Sequence, residues 1–95
     1  MPLQHILLTP SAQEDLKNAW DYLNEQRDGL GDEFLDEFIK ITNLLLDFPE
    51  LYQAVRGDIR RGIIRQFRYI FTYTIHDDSI VVARIMHRSR NTEYY

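Results

Sequence analysis

The sequence predicts an α+β fold in which a helical hairpin packs on one face of a mostly antiparallel sheet, in the order β-α-α-β-β-β. A change of hydrophobic period carries this prediction. Apolar residues recur every three or four positions between residues 10 and 49, whereas β-branched and aromatic residues form strand-like runs between residues 59 and 87. A chain of 95 residues that is 44% hydrophobic supports one modest core. We therefore expect a single domain over residues 1–95.

The first strand and the first helix follow directly from the N-terminal residues. Residues 4–9 are a short apolar run, which predicts a strand. Thr9 or Ser11 can cap a helix over about residues 10–27, and Ser11 with Glu14 has the spacing of a capping box. The predicted apolar face of this helix consists of Leu16, Ala19, Trp20 and Leu23.

A second amphipathic helix follows a short glycine-containing turn. Asp28, Gly29 and Gly31 supply the turn, and Pro49 ends the helix. So short a connection favours an antiparallel helical hairpin. We interpret the aromatic and aliphatic residues at helical spacing as core and not as a cofactor site; they are Trp20, Phe34, Phe38, Leu45 and Phe48.

Three strands complete the predicted fold after a loop at Glu50 to Asp58. The strand-like runs are Ile59 to Phe67, Tyr69 to Ile75 and Ile80 to His87, and the polar residues 76–79 join the last two as a hairpin. No element of the chain is left to cover the second face of this sheet. That face is therefore expected to be either solvated or available to a partner.

Composition excludes several classes of site. The chain has 0 Cys, so it has no disulfide, no thiolate zinc site and no cysteine nucleophile. Its glycines fit no phosphate-binding motif, and its 3 His are far apart in sequence. We therefore expect no metal and no cofactor. No apolar stretch approaches the 18 or so residues that span a bilayer, so we expect a cytoplasmic protein without a membrane anchor.

The net charge of -4 conceals an asymmetry between the two halves of the chain. Residues 1–55 contain 3 basic and 11 acidic residues, whereas residues 56–95 contain 8 basic and 4 acidic residues. All 8 basic residues of the second part are Arg, the side chain suited to forked recognition of phosphate or carboxylate. The strand half can therefore carry a site for an anionic partner. The alternative is that these arginines pair with the acidic helices of the same molecule.

The candidate site combines the two ends of the strand region. Hairpin pairing can bring the arginines of the first long strand close to the end of the last strand, where His87 lies in phase with Val81, Ala83 and Ile85. One interpretation is a binding site for an anionic or macromolecular target, and the other is a solvated, salt-bridged strand end. The residues concerned are Arg60, Arg61, Arg65, Arg84, His87, Arg88 and Arg90.

The order of motifs along nearly the whole chain resembles the ParE/RelE superfamily of bacterial type II toxins, also called plasmid-stabilisation proteins. The motifs are Leu8-Thr9-Pro10, Phe34 to Phe38, Phe48-Pro49, Arg60-Arg61, the aromatic run Phe67 to Tyr73 and the ending Ile85 to Arg90. The fold that this resemblance implies is a helical hairpin against an antiparallel sheet. It agrees with the element order derived above from periodicity.

The resemblance implies two possible functions, and a third hypothesis stays open beside them. ParE-like members inhibit DNA gyrase, and the ending His87 to Asn91, with no Tyr directly after His87, is similar to that branch. RelE-like members cleave mRNA on the ribosome, which would make Arg61 or Arg65 a stabiliser of phosphate charge, His87 a general acid or base, and Tyr94 or Tyr95 the terminal aromatic. The third is a non-toxic module that keeps only antitoxin binding.

We favour the gyrase inhibitor, because a net negative chain with only two Lys is poorly suited to bind the ribosome and mRNA. The resemblance implies a cognate antitoxin that forms a hetero-oligomer with the chain and neutralises it. We predict target-binding residues and no catalytic ones; they are Arg60, Arg61, Arg65, His87, Arg88 and Arg90.

Overall fold

Two helices and five strands make up most of the chain in the computed structural model, which describes residues 2–88. The elements are β1 (His5–Leu8), α1 (Pro10–Gln26), α2 (Leu30–Asp47), β2 (Ala54–Arg56), β3 (Ile59–Ile64), a 3-10 helix (Arg65–Phe67), β4 (Tyr69–His76) and β5 (Ser79–His87). The predicted α+β fold is confirmed, with one strand more than expected. Within this range neither helix has the length and apolar character needed to cross a bilayer.

The five strands form one sheet in the order β1-β5-β4-β3-β2. β1 pairs with β5 in parallel, and the other three pairings are antiparallel. β1 reaches only as far as Val82 along β5, because the chain leaves the sheet at Thr9 to enter α1. The second half of β5 is therefore not covered by β1 and lies beside α1.

Thr9 and not Ser11 begins the first helix. The Thr9 hydroxyl accepts a hydrogen bond from the Ala12 amide at 3.1 Å and donates one to the Ala83 carbonyl at 2.8 Å. The predicted capping box of Ser11 and Glu14 is wrong, because Ser11 is already inside the helix. Thr9 thus caps α1 and fixes it to β5 at the same time.

The connection between the helices is as short as predicted. Gly29 occupies the N-cap position of α2 in the left-handed conformation, at φ 84°. The Asn24 side-chain oxygen accepts a hydrogen bond from the Gly31 amide at 2.8 Å, and the Trp20 indole donates to Asp32 at 2.8 Å. These bonds hold the two helices together as an antiparallel hairpin.

The core lies between this hairpin and the sheet. α2 contributes Phe34, Phe38 and Leu45, as predicted, and these side chains are buried against the aromatic side of β4. Trp20 and Phe48, predicted as core, are 38% and 59% exposed. Both predictions are wrong, because helical spacing places a side chain near the buried face without showing where the neighbouring element ends.

Two boundaries in the strand region differ from the prediction. The predicted loop between Glu50 and Asp58 contains the short strand β2, whose three residues give too brief a pattern to detect in sequence. The predicted strand from Ile59 to Phe67 ends at Ile64, and a 3-10 helix takes its place at Arg65. Arg65 is therefore not in strand phase with Arg61.

The face of the sheet that points away from the helices is not simply solvated. Ile70, Thr72 and Met86 are buried on that side. Thr72 is paired with Arg61 on β3 and with Arg84 on β5, so two arginines flank it across the sheet. The centre of this face is therefore closed to solvent among the residues described, while its arginines are partly exposed.

Candidate functional site

Three arginines converge at one end of the sheet, where the β3–β4 connection meets the end of β5. The Arg68 amide donates to the Arg65 carbonyl at 3.3 Å and closes the 3-10 helix. The Arg88 amide donates to the Arg68 carbonyl at 2.7 Å and ties β5 to that turn. We call Arg65, Arg68 and Arg88 the arginine end; all three side chains are exposed.

Arg68 is the site residue that sequence reasoning missed. Its backbone is left-handed, at φ 59°, a conformation that disfavours side chains other than Gly, Asn and Asp. Sequence alone gives no turn signal here, because the segment from Arg65 to Phe67 contains neither Gly nor Pro. An arginine held in a strained conformation is consistent with a role outside folding.

The guanidinium groups of the arginine end have no acidic partner among residues 2–88. No carboxylate of this range lies within 4.0 Å of the side chains of Arg65, Arg68 or Arg88, whereas Arg27 pairs with Glu33 at 3.2 Å on the helices. The arginine end can therefore offer forked hydrogen bonds to an external anion.

Arg60 and Arg61 lie elsewhere in the sheet. Arg60 pairs with Tyr73, so its side chain starts on the helix side, and it donates a hydrogen bond to the Tyr52 carbonyl at 2.6 Å. Arg61 pairs with Thr72 and points to the opposite face. The structure thus separates these two neighbours and does not bring Arg60 to the arginine end.

His87 lies beside the arginine end but faces the helices. Its ring packs edge-on against Tyr69, with centroids 5.1 Å apart and planes at 89°. With Asp15 and Tyr22 of α1 it lines a cavity of about 230 Å³ between α1 and β5. His87 thus faces the helices, whereas the side chain of Arg88, directly after β5, is exposed.

The predicted phase of His87 is correct only for the last residues of β5. His87 shares its face with Ile85, but a register shift in β5 opposite Thr72 and Tyr73 reverses the alternation. Val82 and Ile80 are fully buried as a result, whereas Val81 and Ala83 are only partly buried. A single extra residue in one strand exchanges its two faces, and the sequence contains no glycine that would indicate it.

Arg84 follows the alternative interpretation, in which an arginine pairs with the acidic helices. Its guanidinium donates to both carboxylate oxygens of Asp15, at 2.8 and 3.3 Å. The same carboxylate accepts the Ile85 amide at 2.9 Å. Asp15 therefore satisfies the part of β5 that β1 leaves unpaired, and Arg84 has a structural partner.

Three predicted residues, Arg90, Tyr94 and Tyr95, lie outside the described residues. Within residues 2–88 no three His, Asp or Glu side chains lie together in a way that could hold a metal ion. What the site offers chemically is a set of exposed guanidinium groups next to one imidazole.

The sequence model of the family described as the ParE toxin of the type II toxin-antitoxin system parDE matches residues 6–92 of this chain. The chain belongs to the ParE toxin family. No curated protein matches this ParE-family chain.

Two solved structures share the fold of this ParE-family chain. A structure of the chromosomal ParDE toxin-antitoxin system from P. aeruginosa superposes with a TM-score of 0.76 at 11% identity, covering 90% of this chain and 96% of that chain. The conserved hypothetical protein HP0894 from Helicobacter pylori superposes with a TM-score of 0.56 at 23% identity, covering 94% and 97%. At such identities the likeness shows the fold alone.

Proposed function

We propose that this ParE-family chain is a toxin that inhibits DNA gyrase and that a cognate antitoxin neutralises it. The observation that supports this proposal best is the arginine end, whose three exposed guanidinium groups have no acidic partner among residues 2–88. A target with carboxylate or phosphate groups fits such a surface. In this proposal the chain, DNA gyrase and the antitoxin are all cytoplasmic.

The proposed target contacts are the arginine end together with Arg61, His87 and Arg90. Arg68 is added to the residues predicted from the sequence because it lies between Arg65 and Arg88 in the structure. Arg60 is left out of the contact surface, because its guanidinium is bonded to the Tyr52 carbonyl. These residues bind the target and carry out no chemical step.

The antitoxin in this proposal covers an apolar groove on the helices as well as the arginines. Leu16 and Trp20 of α1 and Leu35 of α2 line a hollow of about 260 Å³ on the outside of the hairpin. An acidic and apolar antitoxin segment would bury this groove and neutralise the guanidinium groups. The result is a hetero-oligomer in which the toxin's target surface is blocked.

A supercoiling assay with purified gyrase tests the target and the contact residues together. The chain should inhibit supercoiling and trap gyrase on cleaved DNA. Arg65→Ala, Arg68→Ala and Arg88→Ala should each raise the inhibitory concentration by a factor of about 10 to 150, since one charged hydrogen bond contributes about 1.5–3 kcal/mol. His87→Ala and Arg90→Ala should weaken inhibition in the same direction.

Arg27→Ala is the matched control, because Arg27 is an exposed arginine that already pairs with Glu33. It should inhibit like the unmodified chain. Equal loss in Arg27→Ala and Arg68→Ala would contradict the proposed contact surface. Intact supercoiling together with ribosome-dependent mRNA cleavage would assign the RelE-like activity instead.

A growth experiment distinguishes a toxin from the non-toxic binding module. Induced expression of a toxin should arrest growth, and co-expression of the small gene next to it should restore growth. A chain that binds the product of that gene without arresting growth would be a binding module only.

A further inference from the structure

A second surface of the molecule, far in sequence from the arginine end, exposes large apolar side chains. Leu44 and Phe48 lie one turn apart at the end of α2, and Leu51 follows in the loop before β2. They are 44%, 59% and 50% exposed. We call these three residues the Phe48 patch. Clustered apolar exposure of this kind marks an interaction surface more often than isolated exposed residues do.

Hydrogen bonds fix the backbone of the loop that carries the Phe48 patch. The Tyr73 hydroxyl donates to the Pro49 carbonyl at 2.9 Å, and the Arg60 guanidinium donates to the Tyr52 carbonyl at 2.6 Å. The Leu51 amide donates to the Phe48 carbonyl at 3.0 Å. These bonds fix the backbone on both sides of the exposed residues, so the patch is presented in one conformation and binding would order little additional chain.

A hollow in the loop gives the patch a shape that an apolar side chain can fill. Phe48, Pro49, Glu50 and Leu51 line a cavity of about 330 Å³ that opens to solvent. The surface therefore has both a protruding aromatic ring and a recess beside it. Such a surface can be complementary to a copy of itself.

The charged residues near the Phe48 patch favour a second copy of the chain as its binding partner. Glu50 lines the recess of the patch, Asp47 directly precedes Phe48, and Arg56 lies on the edge strand β2, which begins three residues after Leu51. None of the three forms an ion pair within residues 2–88, although the helices elsewhere pair their charges. A two-fold axis places the same surface on both sides, so the arginine of one copy can meet a carboxylate of the other.

We propose that the chain forms a two-fold symmetric homodimer through the Phe48 patch, with Phe48 of each copy packed at the loop of the other and Arg56 paired with Glu50 across the interface. Side chains carry this contact. β2 adds little by strand pairing, because it is three residues long and its register shifts between Ala54 and Arg56. The arginine end is not part of this interface.

Light scattering and sedimentation of the purified full chain over a range of concentrations test the dimer. The mass should rise with concentration from one chain to two. Phe48→Ser and Leu51→Ser should each raise the dimer dissociation constant at least tenfold. Ile39→Ser is the matched control, since Ile39 is a 46% exposed apolar residue on α2 outside the patch, and it should leave the constant unchanged.

A charge exchange tests the two-fold arrangement. Arg56→Glu should weaken the dimer, and the double variant Arg56→Glu with Glu50→Arg should restore it, because the pair is re-formed with reversed sign. A chain that remains monomeric at every concentration would overturn the proposal. So would a dimer that Ile39→Ser weakens as much as Phe48→Ser, or a double variant that dimerises no better than Arg56→Glu alone.

Discussion

Single residues at the centre of the sheet set the limits of packing in this small domain. Gly62 of β3 lies directly opposite Phe71 of β4, and a β-carbon at Gly62 would come within 2.2 Å of the Phe71 ring. Phe71 in turn packs edge-on against Phe38 of α2, with ring centroids 5.5 Å apart. The absence of a side chain at position 62 is therefore what allows the aromatic layer to form.

Gly62→Ala should lower the free energy of unfolding by about 1–3 kcal/mol, the usual range for overpacking a core. Urea denaturation measures this. Gly57→Asn is the control, because a β-carbon at Gly57 meets nothing within 4 Å and asparagine tolerates its positive φ of 56°. Equal destabilisation by the two substitutions would contradict the close approach of Phe71.

Tyr73 couples the core to the loop after α2. Its side chain is fully buried and its hydroxyl donates to the Pro49 carbonyl. Burial raises the pKa of the Tyr73 hydroxyl above its ordinary value of 10.0, because the phenolate would lose its hydration, and the Tyr52 backbone hydrogen bond and the charge of Arg60 oppose this in part.

The raised pKa of Tyr73 predicts a loss of stability at alkaline pH. Above pH 10 the unfolded chain releases the Tyr73 proton while the folded chain keeps it, so the free energy of unfolding falls as the pH rises toward the folded-state pKa. Tyr73→Phe should be about 1 kcal/mol less stable at neutral pH, through loss of one hydrogen bond. The difference between the two proteins should narrow above pH 10.

Urea denaturation of both proteins between pH 7 and pH 11 measures this difference. A constant gap between Tyr73→Phe and the unmodified chain across this range would contradict the shifted pKa.

At the scale of elements, the short β1 determines how α1 docks. β1 covers β5 only to Val82, and the backbone beyond that point needs another partner. Asp15 on α1 supplies it by accepting the Ile85 amide at 2.9 Å and the Arg84 guanidinium at 2.8 Å. The Asp15 carboxylate thus accepts a hydrogen bond that a longer β1 could have accepted, and it connects the helical hairpin to the sheet.

Asp15→Ala should lower the free energy of unfolding by about 2 kcal/mol, because it leaves the partly buried Ile85 amide without its acceptor. It should also accelerate hydrogen exchange of that amide. Glu14→Ala, which removes a neighbouring exposed carboxylate of α1, should change stability by less than about 0.5 kcal/mol. Normal protection of the Ile85 amide in Asp15→Ala would show that the carboxylate is not its partner.

At the scale of the whole molecule, charge is distributed unevenly over the fold. Residues 1–55, which contain both helices, hold 11 of the 15 acidic residues, and residues 56–95 hold 8 of the 11 basic ones. Ion pairs between the two parts are few within residues 2–88; Arg84 with Asp15 is one. The arginine end is therefore positive although the chain is negative overall.

Local sequence patterns were enough to predict the helical hairpin, most of the core and the order of elements other than the short strand β2. These features depend on the spacing of apolar residues, with a period of two in strands and 3.6 in helices, and on local turn chemistry. Both can be recognised from a few neighbouring residues. The concentration of arginine in the second half was also legible, because composition needs no geometry. The family resemblance rested on the same local motifs in sequence.

Which arginines lie together depends on the three-dimensional fold. Arg60 and Arg61 are neighbours in sequence but occupy opposite faces of the sheet, whereas Arg68 and Arg88 are twenty positions apart and share a backbone hydrogen bond. Strand register, one bulge and a left-handed turn produce this arrangement. Each depends on pairing between distant segments, and a shift of one residue exchanges the two faces of a strand.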